Sequence, residues 1–80
     1  MRVTVLVRPK PGIRDPQGEA VERSLRKLGF PVDGMRVGKV IDFELETSDP
    51  DDARKQVELM CDALLANSLI ESVDIDLREA

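Results

Sequence analysis

An 80-residue chain with two phenylalanines, no histidine, no tryptophan and one cysteine reads as one small domain spanning residues 1–80, with no intrachain disulfide and no His/Cys metal cluster. Its net charge of −4 hides an asymmetry, because residues 1–40 carry nine Lys/Arg against four Asp/Glu and residues 41–80 carry three against twelve. The missing histidine and tryptophan remove the commonest general base and the best base-stacking side chain. With no apolar run long enough to cross a bilayer, the expectation is a cytoplasmic protein that binds neither nucleic acid nor membrane.

Residues 2–8 alternate, with Val3, Val5 and Val7 on one face and Arg2, Thr4, Leu6 and Arg8 on the other, the pattern of a half-buried strand. The opening MRVTVLVRPK is too short in its apolar part to be a signal peptide. Pro9, Pro11 and Gly12 make the next segment a loop. Asp15 followed by Pro16 is a helix start, an N-cap acceptor before a proline whose missing N–H costs nothing in the first turn. Val21, Leu25 and Leu28 then form an apolar stripe, so the spacing predicts a helix over Pro16–Leu28, stopped by Gly29 and Pro31.

Met35–Glu46 is the organising stretch. Met35, Val37, Ile41, Phe43 and Leu45 are apolar, Lys39 alone breaks their series, and the even positions are mostly charged. A hairpin tipped at Gly38-Lys39 would put Arg36 in the core, so one long strand, bent or bulged at Gly38, is preferred. Such a strand would be about 40 Å long at 3.3 Å per residue and would in part pair outside the monomer. Ser48-Asp49-Pro50 repeats the helix start, and Ala53, Val57, Met60, Cys61, Leu64 and Leu65 form a second buried stripe ending near Asn67. Ser72–Leu77 alternates again as a third strand. The two Asp-Pro helices also repeat one another weakly at an offset of 36 residues.

The expected architecture is α+β, a two-layer sandwich of two helices on one face of a three-stranded sheet (four-stranded if the long strand bends at Gly38). Open edges would be managed by oligomerisation. Strand direction stays open: a polar outer face favours antiparallel pairing, and helical crossovers favour parallel.

No phosphate loop and no catalytic constellation is present, and no metal site is expected. The carboxylates sit on wet strand faces or in first helical turns, and Cys61 reads as a structural thiol. Three segments stand out: the basic loop Arg8–Arg14, with Arg8, Lys10 and Arg14; the helix start Asp15-Pro16-Gln17-Gly18, where glycine weakens the helix by up to about 1 kcal/mol relative to alanine and is either needed for a close approach to the backbone or simply tolerated in a first turn; and Arg36-Val37-Gly38-Lys39.

These segments carry a family resemblance. Asp15–Gly18, Leu28-Gly29, Arg36-x-Gly38-Lys39 and Met60-Cys61 through Leu64-Leu65-Ala66-Asn67 resemble, in order and spacing, PurS subunits of the three-part phosphoribosylformylglycinamidine synthase. Ser68 departs from the proline the family often has there. The resemblance implies a non-catalytic homo-oligomer, dimer or tetramer, that bridges a glutaminase subunit and a large synthetase subunit and assists ammonia transfer. It implies no cofactor on this chain, with ATP and Mg²⁺ used by the large subunit. Asp15, Pro16, Gln17, Gly18, Arg36, Gly38 and Lys39, with Arg8, Lys10 and Arg14 next, are the expected partner or assembly contacts. The competing reading is a small dimeric regulatory sandwich that binds a metabolite.

Overall fold

A computed structural model describes residues 1–79. It has the α+β architecture expected, with β1 at Arg2–Pro9, α1 at Pro16–Lys27, β2 at Lys39–Glu44, α2 at Pro50–Met60 and β3 at Glu71–Arg78. The Asp-Pro starts are formed as the sequence dictates. Asp15 and Asp49 are the N-caps of α1 and α2, each accepting a backbone N–H, from Gly18 and Asp51 respectively.

The strand order is β2-β1-β3, and β1 is antiparallel to both neighbours. The edge strands β2 and β3 therefore run parallel to each other with β1 between them. The polar-face argument holds, since every paired contact is antiparallel; the crossover argument fails for the α1 connection, which joins antiparallel neighbours, and fits only the α2 connection, between two parallel strands that do not pair. Because cross-strand partners share a face, Val3, Val5 and Val7 line up with Phe43 and Ile41 on one side and with Leu77, Ile75 and Val73 on the other. The three β1 valines are buried, together with Ala53, Val57 and Cys61. Phe43, Ile41, Leu45, Ile75 and Leu77 pack around them half-buried.

The opposite face is wet and paired. Arg2 meets Glu44 at 3.1 Å, Arg8 meets Asp74 at 3.0 Å, and the Thr4 hydroxyl lies between Asp42 and Arg78. Exposed pairs of this kind add at most about 1 kcal/mol each. Their larger effect is to keep an uncovered sheet face polar.

Met35–Glu46 departs from the expected long strand. It is neither one paired strand nor a hairpin, and the sheet has three strands, without a fourth. Burial alternates from Met35 to Leu45 except at Lys39, which is exposed, yet pairing stops at Val7↔Lys39. Upstream of Lys39 the segment is held by the β1–α1 loop and by α1. The Arg36 guanidinium donates to the carbonyls of Ile13 and Lys10, at 2.8 and 2.9 Å, and the Met35 N–H donates to Glu22. The ladder itself is unbulged.

The second helix departs from expectation at its end. After Met60 it widens into a π-helical turn, Cys61–Leu65, closed by the Ala66 N–H donating to the Cys61 carbonyl at 3.1 Å. The extra residue in the turn rotates Leu64 outward, where it is 85% exposed, while Leu65 and Ala66 reach the core. The expected stripe was an α-helical one, and Leu64 is the residue that the wider turn removes from it.

Helix α1 contributes no residue to the core cluster. Val21 is 42% and Leu28 73% exposed, and the chain is extended, 48 × 26 × 15 Å. Its radius of gyration of 15.8 Å exceeds the roughly 12 Å of a compact chain of this length. The stripe predicted on α1 exists, and it faces away from the shared core. Truncating a central valine, Val5→Ala, is expected to cost about 2–3 kcal/mol through lost burial and a residual cavity. Urea unfolding followed by circular dichroism would measure it.

Candidate functional site

The flagged helix start and the flagged Arg36–Lys39 segment, separated by some twenty residues of sequence, meet in space. Their junction is the Asp15 side chain, which is only 8% exposed. Its Oδ1 accepts the Gly18 N–H at 3.1 Å and its Oδ2 accepts the Val37 N–H at 2.7 Å. One carboxylate therefore caps α1 and anchors the segment leading into β2.

Two glycines make this approach possible. A Cβ on Gly18 would lie 2.5 Å from both Asp15 Oδ2 and the Met35 carbonyl oxygen, and one on Gly38 would lie 2.3 Å from the Val7 carbonyl oxygen. No side chain fits at either place without moving backbone. Neither glycine has a positive φ, so closeness, rather than conformational freedom, is what excludes a side chain.

Arg36 completes the clasp by reaching the loop carbonyls. The two amide donors, from Val37 first and then Gly18, hold the Asp15 carboxyl below the usual carboxylate range, the Arg36 charge adding to them and burial opposing. Each carboxylate oxygen accepts a main-chain N–H, so Asp15 positions backbone. Burial and the nearby Asp62 and Glu58 raise the pKa of the Cys61 thiol, which keeps it protonated, the opposite of an activated nucleophile. Among the described residues no cluster of His, Cys, Asp and Glu could hold a metal ion.

The remaining flagged residues fall into place around this clasp. Pro16 and Gln17 are exposed in the first turn of α1, and Arg14 pairs with Glu19 at 3.2 Å. The Lys10 N–H donates to the Ile70 carbonyl, tying the loop to the residue before β3. Arg8 ends the wet row of β1, and Lys39 opens β2 opposite Val7. Sequence reasoning passed over Glu22 and the carbonyls of Val7, Lys10 and Ile13. Glu22 had a legible signal, since it lies four residues after Gly18 on the same helical face. The carbonyls had none.

The fold is that of a small α+β protein whose capped first helix is clasped to the approach of an edge strand. A family model described as "PurS: Phosphoribosylformylglycinamidine (FGAM) synthase" matches residues 2–79. The chain belongs to the PurS family, and as a member it is a PurS subunit of FGAM synthase, in purine biosynthesis.

Similar proteins agree with this assignment. The PurS subunit of Synechocystis is 42% identical over 69 residues, covering 85% of this chain and 69% of the relative. That of Archaeoglobus fulgidus is 36% identical over 80 residues, covering 99% and 100%. The crystal structure of Bacillus subtilis PurS superposes with a TM-score of 0.88 at 37% identity, covering 98% of each chain. A chain in the structure of PurLQS from Thermotoga maritima superposes at 0.83 with 34% identity, covering 94% of this chain and 93% of that one.

Two outcomes follow for the clasp. Gly38→Ala and Gly18→Ala are each expected to cost about 1–3 kcal/mol through forced backbone displacement, measured by chemical denaturation. Because the Asp15 pKa is lowered in the folded state, its contribution is fully present above its ordinary value of 3.8 and is lost as pH falls through the lowered value. The Val37 amide resonance should therefore titrate with a midpoint below 3.8, and the titration should vanish in Asp15→Asn.

Proposed function

We propose that the chain is the non-catalytic small subunit that bridges the glutaminase and the ATP-dependent synthetase subunits of FGAM synthase and assists the transfer of ammonia between them. The reaction served is the conversion of formylglycinamide ribonucleotide, glutamine and ATP to formylglycinamidine ribonucleotide. The observation that carries this reading is the likeness, over nearly the whole of both chains, to a chain in a structure named for PurL, PurQ and PurS together. In this reading the chain itself binds no cofactor, and ATP and Mg²⁺ are used by the large subunit. The alternative of a metabolite-binding regulatory sandwich is not favoured by the family match.

The working form is a homo-oligomer. Three features support it: Val21 and Leu28 exposed on the α1 stripe, an apolar groove of about 430 Å³ lined by Phe43, Met60, Ala63, Leu64 and Leu65, and two unpaired sheet edges. A second copy is the occupant that would bury them. Asp15–Gly18 and Arg36–Lys39 act as assembly segments by fixing where α1 stands, with Arg8, Lys10 and Arg14 presenting charge to partners. The site of action is the cytoplasm, and among the described residues no helix is long and apolar enough to cross a membrane.

Sedimentation should give a mass at least twice that of the 8.9 kDa chain, and a monomer at micromolar concentration would sink the oligomer. In reconstituted enzyme, omitting this chain should abolish glutamine-dependent amidine formation and spare the ammonia-dependent rate. Equal glutamine-dependent rates with and without the chain would overturn the bridging role.

A further inference from the structure

We propose that the cleft between Arg8 and Arg36, where β2 begins, is a binding site for a phosphoryl oxyanion. The cleft has a volume of about 210 Å³ and is bordered by Arg8, Arg36, Gly38 and Lys39, with Leu6, Pro9 and Val40 as apolar wall, and no acidic residue lines it. Leu6 and Arg8 share the open face of β1, and the alternation places Arg36, Gly38 and Val40 on the same side of their segment. Gly38 leaves the gap between the two guanidinium groups free of a side chain.

Both guanidiniums are held in place before any ligand arrives. Arg36 is fixed by two loop carbonyls, at 2.8 and 2.9 Å, which orient it without neutralising it. Arg8 is tethered through one nitrogen to Asp74, an exposed partner. A guanidinium carries about five N–H donors, so most donors on this pair stay uncommitted. One carboxylate offers only about four acceptor sites. A phosphoryl group offers a third strong acceptor oxygen and up to about two negative charges, the better match to two forked donors.

Size narrows the ligand further. The cleft is smaller than the roughly 300–1,000 Å³ of pockets that enclose whole drug-sized ligands. It suits inorganic phosphate or the phosphate end of a monoester whose organic part extends over Leu6 and Val40. Asp15, the buried acid near Arg36, does not line the cleft.

The test is titration of the full chain with inorganic phosphate at constant ionic strength, followed by amide and guanidinium ¹⁵N–¹H spectra. Saturable shifts are expected at Gly38, Lys39, Val40 and the two arginine side chains. Arg8→Gln should weaken binding at least tenfold. Asp74→Asn, which frees Arg8 and removes a repelling charge, should tighten it, an effect that a purely structural role for the pair would not give. A lower midpoint for ribose 5-phosphate than for phosphate would identify a monoester as ligand, and equal midpoints would identify free phosphate. Shifts that never saturate, that spread over the cations of α1, or that acetate saturates at lower concentration than phosphate would overturn the proposal.

Discussion

One strand has two neighbours, and the molecule is built on that fact. β1 lends three valines to the core, its whole length to the β3 ladder and Arg2–Val7 to the β2 ladder, and β2 and β3 are each an edge paired only with β1. No second strand shares the load. The buried cluster is correspondingly small, five residues drawn from β1, α2 and the start of the π-helical turn, close to the lower limit for a domain without a disulfide or metal. A chain so thinly cored gains much from any surface it covers by association, which links the fold to its role as a subunit.

The second constraint is the clasp. Helix α1 takes no part in the core, so its direction is set by its ends. At its start, one carboxylate serves both as a helix cap and as the acceptor for the incoming β2 segment. Gly18 and Gly38 let two backbones pass where a methyl group would collide. A helix that projects from the sheet yet stands at a fixed angle is a useful part in an assembly, since it offers an apolar face at a defined place.

How much of this was legible in the sequence follows from how local each cause is. The Asp-Pro caps, the apolar stripes and the strand parities depend on neighbours within a turn or two, and they could be read directly. The extent of β2 depends on where β1 turns away and on what Arg36 finds in a distant loop, so the alternation was right and the pairing was over-read. The outward turn of Leu64 arises from a single added residue in a helical turn, which leaves no mark on a hydrophobic pattern. Gly18 and Gly38 were visible as oddities, but the carbonyls that require them, Met35 and Val7, look like any others. An amphipathic stripe on α1 says that some apolar partner exists, and it cannot say whether the partner is in the same chain.

The register Arg2↔Arg78 joins the first strand to the last. During synthesis β1 emerges well before β3, and its valine-rich face waits for an edge strand that starts only at Glu71. At about 5–20 residues per second that wait lasts on the order of several seconds, during which a strongly β-prone segment has only half of its pairing. Loop closure over so long a separation also slows folding once the chain is free. The arrangement that makes one strand central thus leaves the nascent chain exposed for longest at the segment most prone to pair with the wrong neighbour.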